Sequence, residues 1–207
     1  MLAIEKHCLA LLENSIATDA AHDKAHILRV VKIAKHLCNI EQADPNIVIP
    51  AAWLHDCITV PKNHPDRSKS SVMAADHALT LLAKWQYPEQ YYSAIHHAIV
   101  THSFSANIPP ETLEAKIVQD ADRLDALGAI GVSRCLQISG VLGSTLYSDD
   151  DPFCEQRTPN DKAFTVDHFY TKLFRIAETL HTQAAKDEAQ QRVAFMRDYL
   201  TQLQHEI

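Results

Sequence analysis

Glycine is scarce, with four residues in 207. A chain this poor in glycine, and rich in alanine, leucine, isoleucine and glutamine, favours helices over sheet. Cysteine is present without a pairing pattern. Cys8, Cys38, Cys57, Cys135 and Cys154 are odd in number and form no C-x-x-C pair. That argues against a disulfide framework and for reduced intracellular thiols. No apolar run is long enough to span a bilayer. Met1 to Ser15 interrupts its apolar residues with Glu5, Lys6, His7 and Glu13, unlike the core of a signal peptide. No membrane partner and a cytoplasmic location are therefore expected. Positive charge is not in excess: the formal net charge is −7. A chain-wide nucleic-acid surface is excluded on that count, although a local basic loop can still meet phosphate. There is no internal repeat, low-complexity segment or clear linker. The expectation is one domain over 1–207, large enough to bury a core.

What the chain does have is histidine, thirteen in all, and an unusual acidic run. Ile117 to Gly131 reads Ile-Val-Gln-Asp-Ala-Asp-Arg-Leu-Asp-Ala-Leu-Gly-Ala-Ile-Gly. Ile117, Val118, Ala121, Leu124 and Leu127 trace an apolar stripe at helical spacing. Asp122 falls close to that stripe, and a partly buried carboxylate needs a partner or a metal.

Helices are expected over about Leu2–Ile16, Ala21–Cys38, Asn46–Asp56, Ser70–Trp85, the segment after Pro88, the Asp120–Asp125 run and Ile130–Ile138. Two more, about Asp167–His181 and Gln183–Gln204, close the chain. His22 and His26 are four apart and share a face of the second helix. Asp44-Pro45 gives the third an N-cap and a first-turn proline. That third helix is almost wholly apolar, which marks it as central, and it ends in His55-Asp56. Val60 to about Ser68 is a loop carrying Lys62, His64 and Arg67, and Tyr147 to about Val166 is a long surface excursion.

His26, His55-Asp56 and Asp122 form an ordered set of two imidazoles and two carboxylates. Such a set suits Mn, Fe, Co, Ni or Zn and tolerates Mg. Water bound to an ion of this kind ionises near neutral pH and can attack phosphorus.

In that order the four residues match the H…HD…D pattern of the HD-domain metal-dependent phosphohydrolases. His22-Asp23, His97 with His102-Ser103-Phe104-Ser105, the Gln119–Gly131 run and the tail Asp167-His168-Phe169-Tyr170-Thr171-Lys172-Leu173 extend the likeness. Together they resemble the small bacterial YedJ-like branch over nearly the whole chain. The common HD-Ile-Gly continuation is replaced by His55-Asp56-Cys57-Ile58-Thr59. The resemblance implies an all-α, single-domain HD helical bundle with a metal site between central helices. Its metal core would span about 21–131, with C-terminal helices of about 160–206 packed on it. It further implies His26, His55, Asp56 and Asp122 as ligands of a divalent metal, with Asp56 and Asp122 also catalytic. Hydrolysis of a phosphate ester or anhydride of a small molecule follows, a nucleotide first of all, by attack of metal-bound water.

Other residues carry a functional and a plain reading side by side. His97 and His102 would contact phosphate or a second metal. His22 either orients Asp56 or phosphate, or is exposed. Lys62 and Arg67 either neutralise phosphate or are solvated. Arg123 reaches substrate or pairs with Asp120. Asp125, three after Asp122, would share its helical side as general acid or base, or orient a ligand. Lys172 closes over the site or faces solvent. Two other chemistries fit the same ligands, namely a di-iron oxygenase of the HD fold and a non-catalytic, metal-stapled ligand-binding module. A homodimer is left open.

Overall fold

The structure, a computed structural model, describes residues 3–14, 24–58, 60, 69–103 and 107–207. Among these residues it is helical, with no strand beyond one isolated bridge between Thr145 and Phe164. The all-α expectation is met. The described chain divides into two compact units, Met1–Asp122 and Arg123–Ile207.

The first unit holds α1 (Ala3–Asn14), α2 (Lys24–Glu41), α3 (Pro45–Leu54), α4 (Ser70–Lys84), a 3-10 turn (Glu89–Tyr91), α5 (Tyr92–His102) and most of α6 (Leu113–Leu124). Helix α3 is its axis: it packs on α1, α2, α4 and α5, and every residue from Val48 to Leu54 is buried. Its start is set as the sequence predicts. Asp44 is the N-cap and accepts from the Asn46 amide at 2.8 Å, with Pro45 in the first turn.

Pro50, inside α3, has no amide to give the carbonyl of Asn46 four residues earlier. The Tyr87 hydroxyl takes that place, donating to the Asn46 carbonyl at 2.7 Å. Burial raises this phenol to about 12, so it keeps the proton it donates. Tyr87 is delivered by the turn that ends α4. There the Tyr87 amide donates to the Leu82 carbonyl, and Gln86 adopts a left-handed φ of 54°. Glu5 on α1 is 1% exposed and is paired with Lys35 of α2 and the Trp53 indole of α3. A buried carboxylate is tolerable only with such partners.

The second unit contains α7 (Gly128–Leu142), a π-helical turn (Phe169–Leu173) running into α8 (Phe174–Glu178), and α9 (Gln183–Glu206), with α9 packed on α7 and α8. The excursion between α7 and the π-turn is pinned by two carboxylates. Asp151 accepts from the amides of Glu155, Gln156 and Arg157, and Asp167 receives both guanidinium arms of Arg157 at 2.5 and 2.6 Å.

Two expectations need correcting. The helix expected over about Asp167–His181 is present over 167–178, but it is π-helical over Phe169–Leu173 and ends at Glu178. The acidic run is also not one helix. It breaks after Leu124, and Asp125 lies in the turn before α7. Two glycines make the break. Gly128 sits at φ +69°, and a Cβ on Gly131 would lie 2.2 Å from the Ala126 carbonyl oxygen.

Candidate metal centre

Four segments of the first unit bring their polar ends together. His26 comes from the first turn of α2 and is 2% exposed. His55 caps α3 in helical geometry, and Asp56 follows it. His102 is the last residue of α5, and Asp122 lies near the end of α6.

The imidazoles are oriented by backbone. Nδ1 of His55 lies 2.8 Å from the Ala52 carbonyl, and Nδ1 of His102 lies 2.6 Å from that of Ile99. A carbonyl can only accept, so both Nδ1 atoms carry hydrogen. That leaves Nε2 of each neutral ring with its lone pair free to bind. Nε2 of His55 is fully buried and has no hydrogen-bond partner. The three rings meet edge to face, His26 with His55 at 5.5 Å between centroids and His55 with His102 at 4.9 Å.

The donor atoms converge. Ligand atoms of His26, His55 and Asp56 lie within 4.8 Å of one another. Asp122 Oδ1 stands 3.4 Å from His26 Nε2 and 3.9 Å from His55 Nε2. Asp56 divides its oxygens: Oδ2 is 3.6 Å from His55 Nε2 and Oδ1 is 3.5 Å from His102 Nε2. Two ligands on one ion at ~2.1 Å sit about 3.0 Å apart in adjacent octahedral positions and about 3.4 Å apart in tetrahedral ones. The observed separations, from 3.4 to 3.9 Å, are close to those values. With a buried, unpartnered imidazole nitrogen in their midst, the residues fit a divalent cation.

Electrostatics agree. Burial holds the His55 imidazole below its ordinary value, against the charge of Asp56, so it stays neutral and able to ligate. Burial also opposes ionisation of Asp122. The hydrogen bond and charge of His26, with the charge of His102, outweigh it and hold the carboxyl far below the usual range. Burial pulls His102 down as well, but its hydrogen bond to Asp56 and the charges of Asp56 and Asp122 prevail, and its value is raised.

The remaining expected site residues fall in different places. His102 joins the four expected ligands, nearest Asp56. His97 instead accepts the Glu111 amide on Nε2 at 3.1 Å and braces the chain leading to α6. Arg123 donates to the Thr179 carbonyl at 2.7 Å. Asp125 is 1% exposed and pairs with Arg134 at 2.5 Å, so the helical argument that set it beside Asp122 fails with the break after Leu124. His22, Lys62 and Arg67 lie outside the described residues.

The HD domain family matches residues 24–127, a span that contains all five converging side chains. YpgQ of Bacillus subtilis is 33% identical over 199 residues, 93% of this chain and 89% of that protein. The crystal structure of Bacillus subtilis YpgQ in complex with ADP superposes with a TM-score of 0.72 at 31% identity, covering 99% of this chain and 93% of that one. An HD-superfamily hydrolase from Bacillus thuringiensis gives a TM-score of 0.75 at 30% identity, with 98% and 95% covered. On the family match and these relatives, the chain belongs to the HD domain family.

Proposed function

We propose that this chain is a cytoplasmic, metal-dependent phosphohydrolase that cleaves a phosphate ester or anhydride of a small molecule, with a nucleotide as the expected substrate. The observation that carries the reading is the convergence of His26, His55, Asp56 and Asp122 around the unpartnered Nε2 of His55. The ADP bound to YpgQ in its crystal structure supports a nucleotide as the ligand class here. A divalent ion in this site supplies Lewis acidity and lowers the pKa of water, which is what phosphoryl transfer to water needs.

The protein's own share is orientation and charge. The Ala52 and Ile99 carbonyls fix two imidazoles with Nε2 inward, so no rotamer search precedes ligation. Asp56 and Asp122 bring two negative charges, which neutralise the ion while leaving positions open for substrate. Nδ1 of His102 already donates to Ile99, which leaves its Nε2 facing Asp56, where it can hold a proton for a phosphoryl oxygen or ligate a second ion. The same reading keeps His22, Lys62 and Arg67 as phosphate contacts.

A second reading is favoured by one observation. Asp56 presents a different oxygen to His55 and to His102, as a carboxylate shared by two ions would. Two irons there would make an oxygenase. Both are tested by stripping the protein, reloading it with Mn, Mg, Co, Ni or Fe, and screening nucleotides and sugar phosphates for phosphate or pyrophosphate release. Metal-dependent release is expected. Iron-specific, oxygen-consuming turnover without phosphate release would replace hydrolysis by oxygenation.

A further inference from the structure

Ser71 stands in the first turn of α4, is 2% exposed, and its Oγ is buried without a hydrogen-bond partner. A hydroxyl so placed costs stability, and such orphans are rare in native folds. The chain handles its other hydroxyls normally. Thr80, Thr101 and Ser133 donate to the carbonyl four residues back, and the neighbouring Ser70 accepts from the Val60 amide at 3.3 Å. Ser71 does neither.

Its position explains what it faces. Helices α4 and α5 form an antiparallel pair joined by the turn after Lys84, and a hydrogen bond of 3.0 Å between Asp76 and His96 sets their register. Five residues from that tie, toward the start of α4 and the end of α5, are Ser71 and Thr101, the residue before His102. A second tie agrees. The Cys57 thiol donates to the Ala74 carbonyl at 3.3 Å. Ala74 is one turn from Ser71 on the same inner face of α4, and Cys57 follows Asp56. Both ties bind the half of α4 that holds Ser71 to the segments carrying Asp56 and His102.

The chemistry of that position is anionic. Side chains on a helix lean toward its N-terminus, so the Ser71 hydroxyl leans toward the positive end of the 15-residue α4. Lys69 stands at the N-cap and makes no side-chain capping hydrogen bond. A buried, unpartnered hydroxyl near the positive end of a helix matches one ligand group, the oxygen of a phosphoryl group.

We infer that the Ser71 hydroxyl, with the first turn of α4, binds a phosphoryl oxygen of the substrate beside the metal ligands. The inference deepens the phosphohydrolase reading and rests on it for the identity of the ligand.

The test is calorimetric titration of the Mn-loaded chain with imidodiphosphate, a diphosphate analogue that resists hydrolysis. Ser71→Ala is expected to weaken its binding about tenfold or more, the loss of one hydrogen bond to a charged group. Mn affinity should be unchanged, and Ser71→Thr should keep most of the imidodiphosphate affinity because it keeps the hydroxyl. Equal imidodiphosphate affinity in Ser71→Ala, with a raised Tm from removing an idle buried hydroxyl, would overturn the inference. So would a parallel loss of Mn affinity, which would make Ser71 part of the metal scaffold. The titration reads binding and not turnover. A chain that binds imidodiphosphate through Ser71 yet hydrolyses no phosphorylated compound would sink the phosphohydrolase reading and leave the Ser71 assignment standing.

Discussion

His102 shows how one residue divides its work between two states. Without metal, its hydrogen bond to Asp56 and the carboxylate charges keep the ring protonated beyond the ordinary imidazole value of 6.5. A raised folded value means that the ion pair stabilises fully below that ordinary value. The contribution then disappears as the pH rises through the folded one. With metal, the proton must leave before Nε2 can ligate or accept. In chelator, the Tm advantage of the wild type over His102→Gln should therefore be largest near pH 5.5 and shrink toward pH 8.5. Thermal melts across that range check it; an advantage that grows with pH would contradict the assignment. Asp122 works in the opposite sense. Its depressed value makes its contribution present above the ordinary carboxylate range and lost as the pH falls below it.

Among the elements, α3 is the one that aims the site, because His55 and Asp56 leave its C-terminal end. The Tyr87 hydroxyl replaces the amide that Pro50 lacks. Tyr87→Phe should cost about 1 kcal/mol by stranding the Asn46 carbonyl. In a Pro50→Ala background, where residue 50 regains its amide, the same change should cost clearly less. Denaturant unfolding of the four proteins of this cycle measures the coupling; equal costs in both backgrounds would show that the hydroxyl does not serve the proline gap.

Element boundaries also show where the sequence was legible. The Asp44 cap, the apolar α3 and the His55-Asp56 pair that follows it could be read because capping and burial are local, periodic signals. The break after Leu124 could not be read from apolar spacing, since Ala126 and Leu127 continue the stripe. The signal lay in Gly128 and Gly131, one needed for its positive φ and the other for close approach to Ala126. The π-turn at Phe169–Leu173 had no comparable marker, because its residues suit an ordinary helix equally well.

For the molecule as a whole, His26, His55, Asp56 and Asp122 are spread across nearly a hundred residues, and the structure sets their donor atoms near one another. Side chains whose role depends on direction were less legible. His97 and His102 are five apart, and only the structure shows that one braces a loop while the other turns toward Asp56. Asp125 was expected as an acid, base or orienter beside Asp122 and Arg123 as a substrate contact or a partner of Asp120, but their contacts, with Arg134 and with the Thr179 carbonyl, lie within the second unit. With a net charge of −7, the chain as a whole repels phosphorylated ligands, so the proposed binding would have to come from a metal and a few local donors.

The account turns on those four ligands holding an ion that phosphate hydrolysis requires. The most direct measurement is Mn affinity and nucleotide phosphate release on the same stripped and reloaded samples of wild type and Asp122→Asn, a change that keeps the shape and removes the charge. The wild type should bind Mn and release phosphate. The variant should bind Mn more weakly by about a hundredfold or more and release none. A variant that kept wild-type metal affinity and turnover would contradict the account at its centre.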